Sequence, residues 1–266
     1  MEENYPSLQV LNTQELNTLI GLTNPQGEPY KGRLHKYQQL ADYYVTVRSI
    51  VRKLSTKRTL YLYDCGSGRS YLSFYLNYRL QQDGFKNVSF ICIDSNEGLV
   101  ERSQQTAASL NIDNMMFYAA NIADFEFPQQ PDIIYSLHAC DTATDQMIHK
   151  GIVEGARHIL SVSCCQHTAR KQMKGHPLAM VARHQPYKER LTDMLSDSLR
   201  ALILEAYDYK VTAYEFVPAA HTPKNIMLRC ARIPQGGKRA KAAMAEYQQL
   251  SELFNMQPAL MAYLEE

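Results

Sequence analysis

The run Tyr63-Asp64-Cys65-Gly66-Ser67-Gly68-Arg69-Ser70-Tyr71 concentrates residue types that could bind a polar ligand. An apolar stretch ends at an acid, passes through small residues and opens into a helix-like segment. Glycines there permit a tight turn and let a ligand approach the backbone, while the helix start offers unpaired N–H donors and the positive end of its dipole. A second acid, Asp94, closes the next apolar run, Val88 to Ile93. In a doubly wound sheet a carboxylate at that place can accept hydrogen bonds from both hydroxyls of a ribose. Together the two runs imply a ligand that carries a nucleoside.

The dinucleotide fingerprint Gly-x-Gly-x-x-Gly is not met, because Tyr71 occupies the third glycine's place and would crowd a pyrophosphate. Asp64, two residues before the first glycine, would repel a pyrophosphate but could organise the ammonium of an amino acid. Both features favour S-adenosylmethionine over a nicotinamide dinucleotide. A nicotinamide-dependent oxidoreductase and a non-catalytic RNA- or protein-binding module that keeps the fold are the alternatives.

Two polar runs follow other apolar stretches: Leu137-His138-Ala139-Cys140-Asp141 and Ser163-Cys164-Cys165-Gln166-His167. At the carboxyl ends of parallel strands they could converge on a ligand. His138 or His167 could take a proton from a hydroxyl or amine acceptor, with Asp141 or Asp145 orienting the imidazole. Thiolates and imidazoles also hold zinc, but adjacent Cys164-Cys165 lacks Cys-x-x-Cys spacing, so no metal is assigned. The plainer alternative is that the cysteines fill small spaces and the histidines satisfy strand-end backbone groups. His221-Thr222-Pro223-Lys224-Asn225 forms a rigid proline turn that could roof the site or be an ordinary hairpin loop.

The elements that must position these groups read as α/β. The 266 residues, 45% hydrophobic and 21% charged, suit one decorated domain and exclude disordered and collagen-like classes. Asn12-Thr13-Gln14-Glu15 reads as a capping box, Pro25-Gln26-Gly27 as a turn, and Leu34 to Leu54 as an amphipathic helix. Apolar runs at 59–63, 88–93, 132–137 and 158–162 alternate with helical stretches, which implies a parallel sheet covered on both faces. Leu204 to Val217 and Asn225 to Ile233 read as an antiparallel edge pair, followed by helices over 238–254 and after Pro258. The expected organisation is a helical cap at 1–55, a catalytic domain at 56–235 and a helical extension at 236–266.

A net charge of +1 gives no global attraction to polyanions, so any RNA contact must come from local patches. Two basic runs qualify: Arg48, Arg52, Lys53, Lys57 and Arg58, and Arg170, Lys171, Lys174, Arg183, Lys188 and Arg190. A solvated helix face is the competing explanation. Six cysteines in a chain this size, the acidic N-terminus and the lack of a long apolar run lead to the expectation of a cytoplasmic protein with no membrane segment.

The segment Asp64-x-Gly66-x-Gly68-x-Ser70 resembles the first motif of class I S-adenosylmethionine-dependent methyltransferases, with Ser70 replacing a frequent glycine. With Leu137 to Asp145, Cys164 to His167 and His221 to Asn225, it is similar to the group containing methyltransferase-like protein twenty-five and the methyltransferase domain of the glutathione S-transferase C-terminal-domain-containing protein. The middle two runs also resemble those of tRNA acceptor-stem 2′-O-methyltransferases. These resemblances imply a Rossmann-like, mostly parallel seven-stranded sheet with an antiparallel edge pair and helical ends, and an acceptor for which RNA is favoured over protein or a small molecule. They imply that Asp64, Gly66 and Gly68 surround the methionine part of the cofactor, Asp94 binds the ribose, Asn121 and Ile122 flank the adenine, and His138 faces the transferred methyl. The fourth strand lacks the Asn-Pro-Pro-Tyr ending of many amine methyltransferases. Oligomeric state is not legible.

Overall fold

The computed structural model describes residues 17–18, 21, 23–28, 30, 33–55, 57–139, 141–218, 225–234 and 237–265, with Leu34, His35 and His138 described by backbone alone. The capping box expected at residues 12–15 lies outside the described residues. Seven strands form one sheet: β1 (Leu60–Cys65), β2 (Val88–Asp94), β3 (Met115–Ala119), β4 (Ile133–Ala139), β5 (His158–Ser163), β6 (Tyr209–Glu215) and β7 (Ile226–Arg232). Their order is β3-β2-β1-β4-β5-β7-β6. The first five pair in parallel, and β7 runs antiparallel to both β5 and β6. This is the mostly parallel sheet with an antiparallel edge pair that the sequence implies.

The helices are α1 (Leu34–Val51), α2 (Tyr71–Gln82), α3 (Glu97–Ser109), α4 (Thr142–Val153), α5 (His167–Gln172), α6 (Gln185–Ala206), α7 (Lys238–Phe254) and α8 (Ala259–Glu265). Strand side chains alternate between faces. Leu60 and Leu62 of β1 join one core with α1 and α2 residues such as Tyr43, Val47 and Phe74. Tyr63 and Cys65 join a second core with Ile148, Leu199 and Ile203. Asp64 shares the face of Leu60 and Leu62, which turns its carboxyl toward α1 and α2.

Local chemistry sets several boundaries. Asn96 caps α3, its Oδ1 accepting from Leu99 N at 3.1 Å. Pro186 stands at the start of α6, where its missing N–H costs nothing. Gly151 lets α4 lie close on the sheet, since a Cβ there would meet Ile159 Cδ1 at 2.7 Å.

One boundary differs from the sequence reading. The apolar stretch beginning at Leu204 is not strand throughout: residues 204–206 form the last turn of α6, and β6 starts at Tyr209. Ile203 and Leu204 are fully buried because they cover the sheet, so their apolar character marks a helix face.

Candidate active site

The β1–α2 turn is built from left-handed backbone. Gly66 and Gly68 have φ of +74° and +57°, and Ser70, at the start of α2, has φ 53°. Glycine carries such angles without a Cβ penalty, whereas Ser70 carries them as a non-glycine residue. Gly66 N and Ser67 N both donate to Ile93 O, at 2.9 and 3.0 Å, and Ser70 N donates to Ser67 O at 2.7 Å. The turn is also tied to the end of β2: Gly68 N donates to Asp94 Oδ2 at 2.7 Å, while Asp94 Oδ1 accepts from Asn96 N at 2.9 Å.

A cavity of about 330 Å³ opens where β1, β2 and β4 end, with Gly66, Asp94, Asn121, Ile122, Ala139 and Gln146 in its wall. Four residues named from the sequence therefore meet in one cleft, and Gly68 joins them through Asp94. Asn121 also makes a turn, its Oδ1 accepting from Ala123 N at 3.0 Å, while Ile122 is buried beside it. Gln146, on the first turns of α4, was not legible as a wall residue, because nothing in the run after Asp141 distinguishes its face.

Asp64 lies behind this wall, 3% exposed. Its Oδ2 accepts from Ser73 Oγ at 2.5 Å, and that hydroxyl is 2.6 Å from Tyr135 OH. Burial pushes the Asp64 carboxyl up to about 7, opposed by the Ser73 hydrogen bond and reinforced by the charge of Asp94.

His138 occupies the carboxyl end of β4 immediately before Ala139, and its side chain, like Cys140 and residues 221–224, lies outside the described residues. Asp141 has φ 52° and precedes α4. Its carboxylate accepts from Thr168 N, at 3.1 Å to Oδ2, and from Thr168 Oγ1 at 2.6 Å. His167, exposed at the start of α5, is the residue before that anchor. The carboxylate expected to orient an imidazole thus holds the Thr168 backbone and hydroxyl. Asp145 is taken by Arg200, whose Nε donates to its Oδ1 at 2.7 Å. Arg200 also donates to Gln166 Oε1 at 3.0 Å and Asp141 O at 3.4 Å, joining the two polar motif runs from α6. Cys164 Sγ and Cys165 Sγ are 3.6 Å apart.

The basic runs are partly consumed by the fold. Arg48 pairs with Asp83 and Arg58 with Asp132, and Arg170 reaches Glu189 at 3.3 Å. For these three the solvated-patch and RNA readings both give way to ion pairs formed with residues 19 to 74 positions away.

The donor set suits an adenosine-bearing ligand: a carboxylate with unused lone pairs for hydroxyls, an apolar side chain for a base, and a glycine turn that leaves space at its backbone. A family model described as a methyltransferase domain matches residues 35–172, more than half of the chain. No curated protein matches the chain. Similar solved structures include a SAM-dependent methyltransferase from Aquifex aeolicus (13% identity, TM-score 0.43, covering 84% of this chain and 100% of that chain). Magnesium protoporphyrin IX methyltransferase from Synechocystis PCC 6803 with bound SAM is 15% identical, with TM-score 0.47, covering 83% of this chain and 91% of that one. An rRNA methylase from Streptococcus thermophilus is 10% identical, with TM-score 0.44, covering 71% and 95%. The chain belongs to the methyltransferase-domain family whose model it matches, and is a methyltransferase dependent on S-adenosylmethionine.

Proposed function

We propose that the chain methylates an RNA acceptor, holding the cofactor in the cleft walled by Gly66, Asp94, Asn121 and Ile122. The observation that carries the cofactor part of this reading is the Gly68 N–H to Asp94 Oδ2 bond at 2.7 Å, which fixes the glycine turn against the carboxylate at the mouth of that cleft. Each oxygen of Asp94 keeps a lone pair free for a ribose hydroxyl. Ile122 and Asn121 flank the adenine, Gly66 and Gly68 allow close approach of the methionine part, and Asp64 acts on its ammonium through charge from behind the turn.

When bound, the sulfonium supplies an already activated methyl group. The chain has to align the acceptor, exclude water and receive one proton. His138, at the end of β4, takes the proton released at the acceptor atom. Asp141 positions α5 through Thr168, and with it His167 at the edge of the acceptor side. The RNA preference is supported by the resemblance of the His138–Asp145 and Cys164–His167 runs to those of tRNA 2′-O-methyltransferases.

Calorimetric titration with S-adenosylhomocysteine and, separately, NAD tests the cofactor assignment. Micromolar binding of the former that weakens in Asp94→Ala is expected, and binding of NAD alone would overturn it. Incubation of RNA and protein extracts with labelled methyl donor should place label in RNA; label confined to protein would reject the RNA acceptor.

A further inference from the structure

We infer that Arg33, Lys36 and Arg69, grouped about the Tyr71 ring, form with Arg102 in the adjoining groove the surface that seats the phosphate backbone of a single-stranded RNA beside the glycine turn. This rests on the RNA reading above and locates it on the molecule. Arg69 stands between Gly68 and Ser70, so the surface abuts the cofactor cleft. Lys36 Nζ lies over the Tyr71 ring, 4.0 Å from its centroid, and Arg69 Nη1 donates to Tyr71 OH at 2.8 Å. Arg33 Nη1 donates to Gly21 O at 2.7 Å, and its guanidinium sits 4.7 Å from the Tyr30 ring centroid.

These cations are gathered against their own repulsion. Burial, then the charges of Arg33 and Arg69, push the Lys36 ammonium down to about 8. Among the described residues no carboxylate forms an ion pair with Arg33, Lys36, Arg69 or Arg102, in contrast to Arg48, Arg58 and Arg170. Beyond Tyr71 the surface continues as a groove of about 470 Å³ between α2 and α3, with Arg69 and Arg102 in its wall, Gln105 and Thr106 beside them, and no acid among the described residues that line it. A chain of like charges with no paired carboxylate among the described residues, interleaved with aromatic rings, matches a phosphate backbone that carries unstacked bases. Tyr30, 41% exposed, offers a ring to such a base.

The test is fluorescence anisotropy with a labelled oligouridylate, comparing wild type with the Lys36→Ala/Arg69→Ala/Arg102→Ala variant across a salt series. The variant should bind about tenfold or more weakly, with a log–log salt slope smaller by about 2, since each phosphate contact on a single strand contributes about 0.7. Its affinity for S-adenosylhomocysteine should stay unchanged. Arg102→Ala alone, at an exposed helix position, gives the same reading with a slope change of about 0.7 should the triple variant fold poorly. The control Lys171→Ala/Lys174→Ala/Lys188→Ala should bind as wild type. RNA affinity unaltered by the triple variant overturns the surface, as does a parallel loss of S-adenosylhomocysteine affinity, which would assign the cations to the cofactor's carboxylate. Wild type that binds S-adenosylhomocysteine but no oligouridylate removes the RNA reading itself, a different result from wild-type binding that the variant preserves.

Discussion

Arg200 on α6 and Asp145 on α4 meet at 2.7 Å with side-chain exposures of 3% and 4%, an ion pair sealed inside the protein. Asp197 stands 3.4 Å from the same guanidinium and accepts from Ser163 Oγ at 2.7 Å. One α6 side chain therefore fixes the first turn of α4, which follows His138 in the chain, and the segment after β5 that carries Cys164 and Cys165. Removing the cation while leaving the carboxylates buried should cost about 3 to 5 kcal/mol. Urea denaturation of Arg200→Met measures this, and the double variant with Asp145→Asn should recover part of the loss. A cost under about 1 kcal/mol would show that the pair does not hold the two segments together.

Asp94→Ala should weaken S-adenosylhomocysteine binding by about 1 to 3 kcal/mol through lost charged hydrogen bonds. The same change frees Gly68 N, so Asp94→Asn, which keeps an acceptor for that donor, should lose less. Calorimetry that finds equal affinity in all three proteins removes Asp94 from the cofactor site.

His138→Ala should lower turnover by about 100-fold or more with little change in cofactor affinity, the signature of a lost proton acceptor. Single-turnover methyl transfer checks this. Wild-type rates in the variant would leave His138 a strand-end residue only.

Asp64 titrates near 7 in the folded protein and near 4 in an unfolded chain. Between those values the folded state holds the extra proton, so its contribution to stability falls as pH rises and the penalty is complete above about 7. Melting temperature measured from pH 5 to 8 should therefore rise in Asp64→Asn relative to wild type as pH increases. A difference independent of pH would mean that the carboxyl is not held protonated.

Ser70→Gly should raise stability by about 0.5 to 1 kcal/mol, because a glycine relaxes the left-handed backbone at φ 53°. A lower melting temperature would instead assign the buried serine hydroxyl a stabilising contact greater than the strain.

Much of the frame was legible. Strands ending at Asp64 and Asp94 announced themselves because parallel strands are apolar throughout, so an acid at the carboxyl end stands out against the run. The glycine turn and the cleft wall at Asp94 followed from that frame, whereas Asn121 and Ile122 were named only through the family resemblance. Residues that act through distant partners were not legible: Arg200 sits in an amphipathic helix like any surface arginine, and only the fold buries it against Asp145, 55 positions earlier. The cation cluster escaped notice for the same reason, since Arg33, Lys36, Arg69 and Arg102 are spread over three separate stretches and come onto one surface only when α1 and α3 both lie beside the start of α2. The end of α6 was misread because a sheet-facing helix turn and a buried strand are equally apolar over a few residues.

Tyr43 reaches from α1 onto the middle of the sheet to donate toward Ser136 O on β4 and Leu160 O on β5, 93 and 117 positions later in the chain. During synthesis α1 thus leaves the ribosome long before β4 and β5, and Tyr43 lacks its Ser136 and Leu160 partners until both strands have followed. Local closure cannot rescue so wide a separation, since a non-local contact forms only after the intervening chain has been ordered. Closure of α1 onto the sheet therefore waits for β4 and β5, after the nearer contacts of Tyr44 with Tyr75 and Asp83 on the α2 side are within reach.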